Sequence, residues 1–167
     1  GENVLISAPT GTGKTLTAFL AFIDRFKAQA EAGKLPEALC VIYVSPLKSL
    51  AADIRENLKR PNEGIAGPQL RMAMRTGDTT SYERQKMLTH PPHILITTPE
   101  SLYLLLTSPR SRKMLRTAQA VIVDEMHALV GTKRGAHLML SLARLDELCG
   151  RRLQRIGLSA TIQPLQR

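Results

Sequence analysis

The chain has 167 residues and 18.4 kDa, with 43% hydrophobic against 22% charged residues, enough apolar material for one packed domain and the wrong balance for a disordered tail. Lysine and arginine number 23 against 14 acids, a formal charge of +9, which suits a polyanionic partner or simply a basic soluble surface. No run approaches the roughly 18 apolar residues of a membrane helix, 4% aromatics without tryptophan argue against a base-stacking strand binder, and two cysteines exclude a disulfide scaffold and fit a reducing, cytoplasmic setting.

Gly1 stands where a methionine would open a complete chain, and an apolar run is already under way at Asn3, which reads as a piece cut from a longer protein. In chain order, strands are predicted at Asn3–Ala8, Leu39–Ser45, Leu70–Thr76, His93–Thr98, Gln119–Asp124 and Leu153–Ser159. Several are near-continuous in Val, Ile, Leu and Met, the pattern of strands covered on both faces. Between them, helices are predicted at Lys14–Ala32, Leu47–Lys59, Thr80–Leu88, Pro99–Leu106 and Gly135–Leu148, the last with Leu138, Leu142, Leu145 and Leu148 on one stripe. Loops are expected at Gly33–Pro36, Pro61–Pro68 and Pro91–Pro92. Alternation of the two element types predicts an α/β fold over residues 1–167: a doubly wound, mostly parallel sheet with helices on both faces. Ligands of such sheets gather at the carboxyl ends of the strands, where the motifs below fall.

The first strand runs into Ala8-Pro9-Thr10-Gly11-Thr12-Gly13-Lys14-Thr15, the spacing of a phosphate-binding loop with alanine at its opening position. Gly11 and Gly13 let the backbone curl so that amides, with those of Thr10 and Thr12, point at phosphate oxygens. The helix N-terminus and Lys14 add positive charge for the β- and γ-phosphates, and the Thr15 hydroxyl is a magnesium ligand. A glycine-rich turn without a nucleotide is the competing reading.

A nucleotide site of this kind needs a carboxylate for its metal and a group that activates water. The fifth strand delivers Asp124 and Glu125 to its carboxyl end. Asp124 is expected to hold magnesium opposite Thr15, and Glu125, turned the other way by the pleat, to orient or deprotonate water. The bland alternative is that two acids merely open the next helix. His127 reads as a relay or as a satisfied loop histidine.

The run Asp124-Glu125-Met126-His127 resembles the DExH box of superfamily 2 helicases. Ser159-Ala160-Thr161 resembles the family's motif III, Tyr43-Val44-Ser45-Pro46-Leu47-Lys48 its motif Ia, Thr76-Gly77-Asp78 its motif Ic, and Thr97-Thr98-Pro99-Glu100-Ser101 its motif Ib. Gly131–Leu138 resembles the large helicase-related family more narrowly. The resemblance spans nearly the whole chain and implies the first RecA-like domain of an ATP- and magnesium-dependent motor acting on single-stranded DNA or DNA–RNA hybrid. Relatives move 3′ to 5′ and are tied to DNA repair, which implies a cytoplasmic protein, nucleoid-associated in a bacterium, with no membrane partner. It also implies backbone contacts from Pro46, Lys48, Thr76, Gly77, Thr98, Pro99 and Glu100, and coupling of nucleotide state to domain closure through His127, Ser159 and Thr161. Lys133 and Arg134 suit nucleic acid or solvent equally, while Arg110, Arg112, Lys113 and Arg116 form a basic helix-like cluster that reads as a solvated face.

A second RecA-like domain of the parent chain is implied as the partner that carries an arginine finger. Alone, the fragment is expected to bind nucleotide and hydrolyse it very slowly, because such a finger contributes about 10³–10⁵ in turnover. Two other readings stand beside the helicase. One is a P-loop kinase or transport ATPase, which would leave Ser159-Ala160-Thr161 without a task. The other is a nucleic-acid or protein docking module on the same fold without helicase activity.

Overall fold

A computed structural model of the chain describes residues 2–9, 13–64 and 69–160, with residues 59–62 and 64 described by their backbone alone. Six strands, β1 (Val4–Ser7), β2 (Val41–Val44), β3 (Met72–Arg75), β4 (Ile94–Thr97), β5 (Ala120–Val123) and β6 (Gln154–Ser159), form one sheet in the order β1-β6-β5-β2-β4-β3. Every pairing is parallel, so all six carboxyl ends lie along one edge. The helices between them are α1 (Lys14–Glu31), α2 (Lys48–Gly64), α3 (Ser81–Thr89), α4 (Pro99–Thr107), α5 (Pro109–Leu115) and α6 (Lys133–Cys149), with a short 3₁₀ turn at Met126–Ala128.

The period-2 geometry of a strand sorts the apolar residues into two cores, one on each face of the sheet. Val41, Tyr43, Ala120 and Ile122 join Phe19, Ile23 and Phe26 of α1 and Ile54 and Leu58 of α2. Ile42, Val44, Val121 and Val123 join Leu102 and Leu105 of α4, Met114 of α5 and Leu138, Leu142 and Leu145 of α6. Strands flanked this way are buried at every position and mostly apolar, which is why β2, β5 and the first three residues of β4 read as near-continuous apolar runs. Phe19, Ile23 and Phe26 are fully buried, and each such side chain contributes about 1.5–3 kcal/mol.

β1 departs from that pattern. It borders β6 alone, and Val4 and Leu5 stay 46% and 61% exposed. A run of three apolar residues, Val4 to Ile6, does not encode whether its strand lies at an edge. Two helices extend beyond the helical spans predicted in chain order. α2 continues past Pro61 to Gly64, where a proline near the helix end forfeits one backbone hydrogen bond. The basic run after Pro109 is itself a helix, α5, entered at proline, with Ser111, Met114 and Leu115 buried. Its Arg110 and Arg112 are tied to Gln85 and to the Leu106 carbonyl.

α6 starts at Lys133, two residues earlier than predicted. Thr132 caps it, accepting the Gly135 N–H at 3.0 Å and donating to the Leu129 carbonyl at 2.7 Å. The first turn of α6 is thereby pressed on the turn that follows the acidic pair. A Cβ on Gly135 would lie 2.0 Å from the Leu129 carbonyl oxygen. Alanine gains about 1 kcal/mol of helix propensity over glycine, but the obstacle is backbone, and overpacking of this kind costs about 1–3 kcal/mol. Gly135→Ala is therefore expected to lower the melting temperature by up to about 6 °C, read by thermal denaturation; a rise would show that the turn yields freely.

Candidate nucleotide site and nucleic-acid edge

α1 begins directly after the glycine-rich turn. Gly13 at its N-cap holds φ 81° and ψ 16°, left-handed backbone that strains any residue with a Cβ. Thr10, Gly11 and Thr12 of the expected cradle, and Thr161 of the expected coupling set, lie outside the described residues. Lys14 is buried to 9% exposure, and its Nζ donates to the carbonyls of Ala8 and of Pro9, the latter at 3.0 Å. The amine is thus held back against the end of β1.

Thr15 Oγ1 lies 3.5 Å from Asp124 Oδ2. The two come from the first and fifth strand ends and are neighbours only because of the sheet order. Asp124 is 3% exposed, and its N–H donates to the Val44 carbonyl at 2.9 Å, extending the β5–β2 ladder by one residue. Its Oδ1 accepts the Glu125 N–H at 2.8 Å, and its Oδ2 accepts the Tyr43 hydroxyl. Burial first, then the negative Asp124 and Glu125, push the Tyr43 phenol far above its usual range, so its proton remains available to donate.

Glu125 is turned by a different device from the expected pleat. It holds φ 49° and ψ 44°, the only positive φ outside glycine among the described residues. Such a conformation costs on the order of 1–3 kcal/mol and recurs at functional sites. Its Oε2 lies 3.2 Å from His127 Nε2. On the other side of the ring, Nδ1 accepts the Ala160 N–H at 3.3 Å and faces Ser159 Oγ at 3.4 Å. An amide only donates, so Nδ1 is the bare nitrogen and Nε2 carries its hydrogen toward Glu125. Glu125, His127 and Ser159 therefore form one chain from the acidic pair to the end of β6.

The donor set suits magnesium. Thr15 and Asp124 offer two hard oxygens, and among the described residues no cluster of three or more His, Cys, Asp or Glu could cage an ion. Magnesium commonly takes one or two protein ligands and completes its shell with water and phosphate oxygens.

The remaining motifs share the same edge of the sheet, beyond β5. Neighbouring β2, β4 and β3 carry Pro46 and Lys48, Thr98 to Glu100, and Thr76 to Asp78 at their ends. Thr98 caps α4 by accepting the Ser101 N–H at 3.4 Å, with Pro99 at the first helical position. Lys48, Gly77 and Glu100 are exposed, whereas Pro46, Thr76, Thr98 and Pro99 are buried. Thr76 is buried, in a tight turn whose backbone polar groups find partners within it. The Thr76 N–H donates to Thr79 Oγ1 at 2.8 Å, and Arg84 donates to the carbonyls of Thr79 and Gly77 at 2.8 and 3.1 Å.

Ion pairs tie the motifs together. Lys48 meets both oxygens of Asp78 at 3.0 Å, and Arg134 forks onto Glu100 at 2.6 and 3.1 Å. The Arg134 hydrogen bond holds the Glu100 carboxyl below its ordinary range. Surface pairs like these contribute at most about 1 kcal/mol; their effect is to set the loops relative to one another. Neither pair, nor the role of Tyr43, was named by the motifs. The available signal for Tyr43 was a tyrosine inside an aliphatic strand, whose hydroxyl must find a partner.

Against known proteins, the family model described as DEAD/DEAH box helicase matches residues 1–167. The chain is 55% identical to the ATP-dependent helicase Lhr-Core protein 2 of Thermococcus barophilus, over 99% of this chain and 20% of that protein. It is 49% identical to the Lhr helicase/probable uracil glycosylase of Mycolicibacterium smegmatis, over 98% of this chain and 11% of that protein. Among solved structures, Mycobacterium smegmatis helicase Lhr bound to ssDNA and AMP-PNP is similar at a TM-score of 0.85 and 48% identity, covering 98% of this chain and 21% of that one. The chain thus spans about a fifth or less of the length of these relatives.

Proposed function

Since the chain belongs to the DEAD/DEAH box helicase family, as a RecA-like ATPase domain of the Lhr type, we propose that it is the motor domain of an ATP-dependent DNA or DNA–RNA hybrid helicase that translocates on single-stranded nucleic acid. The observation that carries the nucleotide part is the 3.5 Å approach of Thr15 Oγ1 to Asp124 Oδ2. In this reading the turn of Thr10, Gly11, Thr12 and Gly13 cradles phosphates. The Lys14 amine turns from the Ala8 and Pro9 carbonyls to the β- and γ-phosphate oxygens. Thr15 and Asp124 hold magnesium, which, when bound, supplies positive charge to the transferring phosphate. Glu125 orients and deprotonates the attacking water, and its link through His127 to Ser159 reports its position to the end of β6, with Thr161 sharing in the coupling.

For nucleic acid, Lys48, Gly77 and the amides at the start of α4 contact phosphates and carry no base identity, as a motor that steps through any sequence requires. Pro46, Thr76, Thr98 and Pro99 act from inside as the scaffold of those loops, and Glu100 holds its loop through Arg134. Residues 1–167 are one domain in this reading. A second RecA-like domain of the parent closes over it and adds an arginine finger, in a cytoplasmic or nucleoid setting.

The test is ATP hydrolysis by the whole protein with and without single-stranded DNA and RNA. Stimulation of at least about tenfold by one of them is expected, and very slow turnover by residues 1–167 alone. No stimulation by either would leave the docking-module reading in its place.

A further inference from the structure

Tyr43 sits where the α1–α2 core meets the acidic pair. It is fully buried on β2, opposite Ile96 of β4 and Ile122 of β5 in the sheet register, with its ring 5.2 Å from that of Phe19. The residues level with it on either side are aliphatic, and an aliphatic residue here would fill the same space without a polar atom to satisfy. The hydroxyl reaches beyond the end of β5 and donates to Asp124 Oδ2, the oxygen that faces Thr15. The second oxygen, Oδ1, is held by the Glu125 N–H. Oδ1 is thus held by the neighbouring amide and Oδ2 by the Tyr43 hydroxyl, with the Thr15 hydroxyl also directed at Oδ2, and the group is fixed against rotation about its last bond.

We infer that Tyr43 is a positioning residue for magnesium: its hydroxyl aims Asp124 Oδ2 toward Thr15 so that the two ligands are arranged before the ion arrives. The inference rests on the reading of Thr15 and Asp124 as the magnesium pair. Its physical ground is that magnesium tolerates little departure from octahedral geometry, so a carboxylate left to rotate binds it more weakly. Hydrogen-bond partners of metal ligands typically contribute about 10–100-fold in metal affinity or activity. Tyr43 does not touch nucleotide or water in this scheme and acts through Asp124, with the Thr15 side chain also within its hydrogen-bonding reach.

The experiment is a magnesium titration of fluorescent ATP-analogue binding by the whole protein, in the wild type, Tyr43→Phe, Asp124→Asn and the double variant. Phenylalanine keeps the ring against Phe19 and removes only the hydroxyl. The half-saturating magnesium concentration is expected to rise about tenfold in Tyr43→Phe, with analogue binding in the absence of divalent ion unchanged. In the Asp124→Asn background the same change is expected to add less than about twofold, because the hydroxyl has lost the carboxylate it works through. Wild-type titration by Tyr43→Phe, with Asp124→Asn impaired, overturns the inference. So does a double variant in which the two effects multiply, since that assigns Tyr43 to packing. Wild-type titration by Asp124→Asn overturns instead the metal reading beneath it. Should the phenylalanine variant be less stable, the increment in melting temperature that magnesium adds to the analogue's own shift is read against each variant's baseline. A smaller increment than wild type is expected, and an equal one overturns the inference.

Discussion

Replacing Glu125 by glutamine is expected to lower ATP turnover of the whole protein by about 10²–10⁴-fold, the usual contribution of a positioned general base, while nucleotide affinity stays within about twofold. The two side chains have the same shape, and an amide oxygen can still accept from His127 Nε2, so the chain from Glu125 through His127 to Ser159 is preserved. The left-handed backbone at φ 49° burdens glutamine as it burdens glutamate, so folding stability is also expected to hold. What is lost is the capacity to take a proton from water. Single-turnover hydrolysis together with analogue binding measures both halves of the expectation, and turnover within about threefold of wild type would remove Glu125 from its assigned role.

Lys14→Ala is expected to lose both quantities. Its amine is held by the Ala8 and Pro9 carbonyls in a nearly buried setting where a charged donor has no solvent substitute. Removing one donor aimed at developing charge costs about 10²–10³-fold in turnover, and nucleotide affinity is expected to fall with it because the same amine binds the ground-state phosphates. The pair of variants is diagnostic: Glu125→Gln separates binding from chemistry and Lys14→Ala does not. Titration of a fluorescent ATP analogue followed by hydrolysis assays distinguishes them, and unimpaired binding by Lys14→Ala would place the phosphates elsewhere.

Much of this architecture can be read from local pattern. Unbroken runs such as Val41–Val44 and Ala120–Val123 mark strands covered on both sides, and the glycine spacing before Lys14 marks the turn into α1, because both are properties of a few consecutive residues. Thr98 followed by Pro99 likewise marks the start of α4. Helix α5 and the end of α2 were harder to read. In each a proline that normally punctuates a chain was accommodated, at a first turn in one and near the last turn in the other.

The site divides along the same line. Sequence alone determined which residue types stand at the strand ends, Lys14 and Thr15 after β1 and Asp124 and Glu125 after β5, since a phosphate loop and a paired-acid strand end are written in contiguous residues. Tertiary structure decided what those residues meet. The order β1-β6-β5-β2-β4-β3 brings Thr15 to Asp124 across 109 positions, sets the Tyr43 hydroxyl on the same carboxylate and puts the ends of β2 and β3 on one edge, where Lys48 pairs with Asp78. The physical reason is that strand adjacency follows from how two apolar faces are covered at once, a property of the whole packed sheet, whereas a motif records only the chemistry of its own short stretch of backbone.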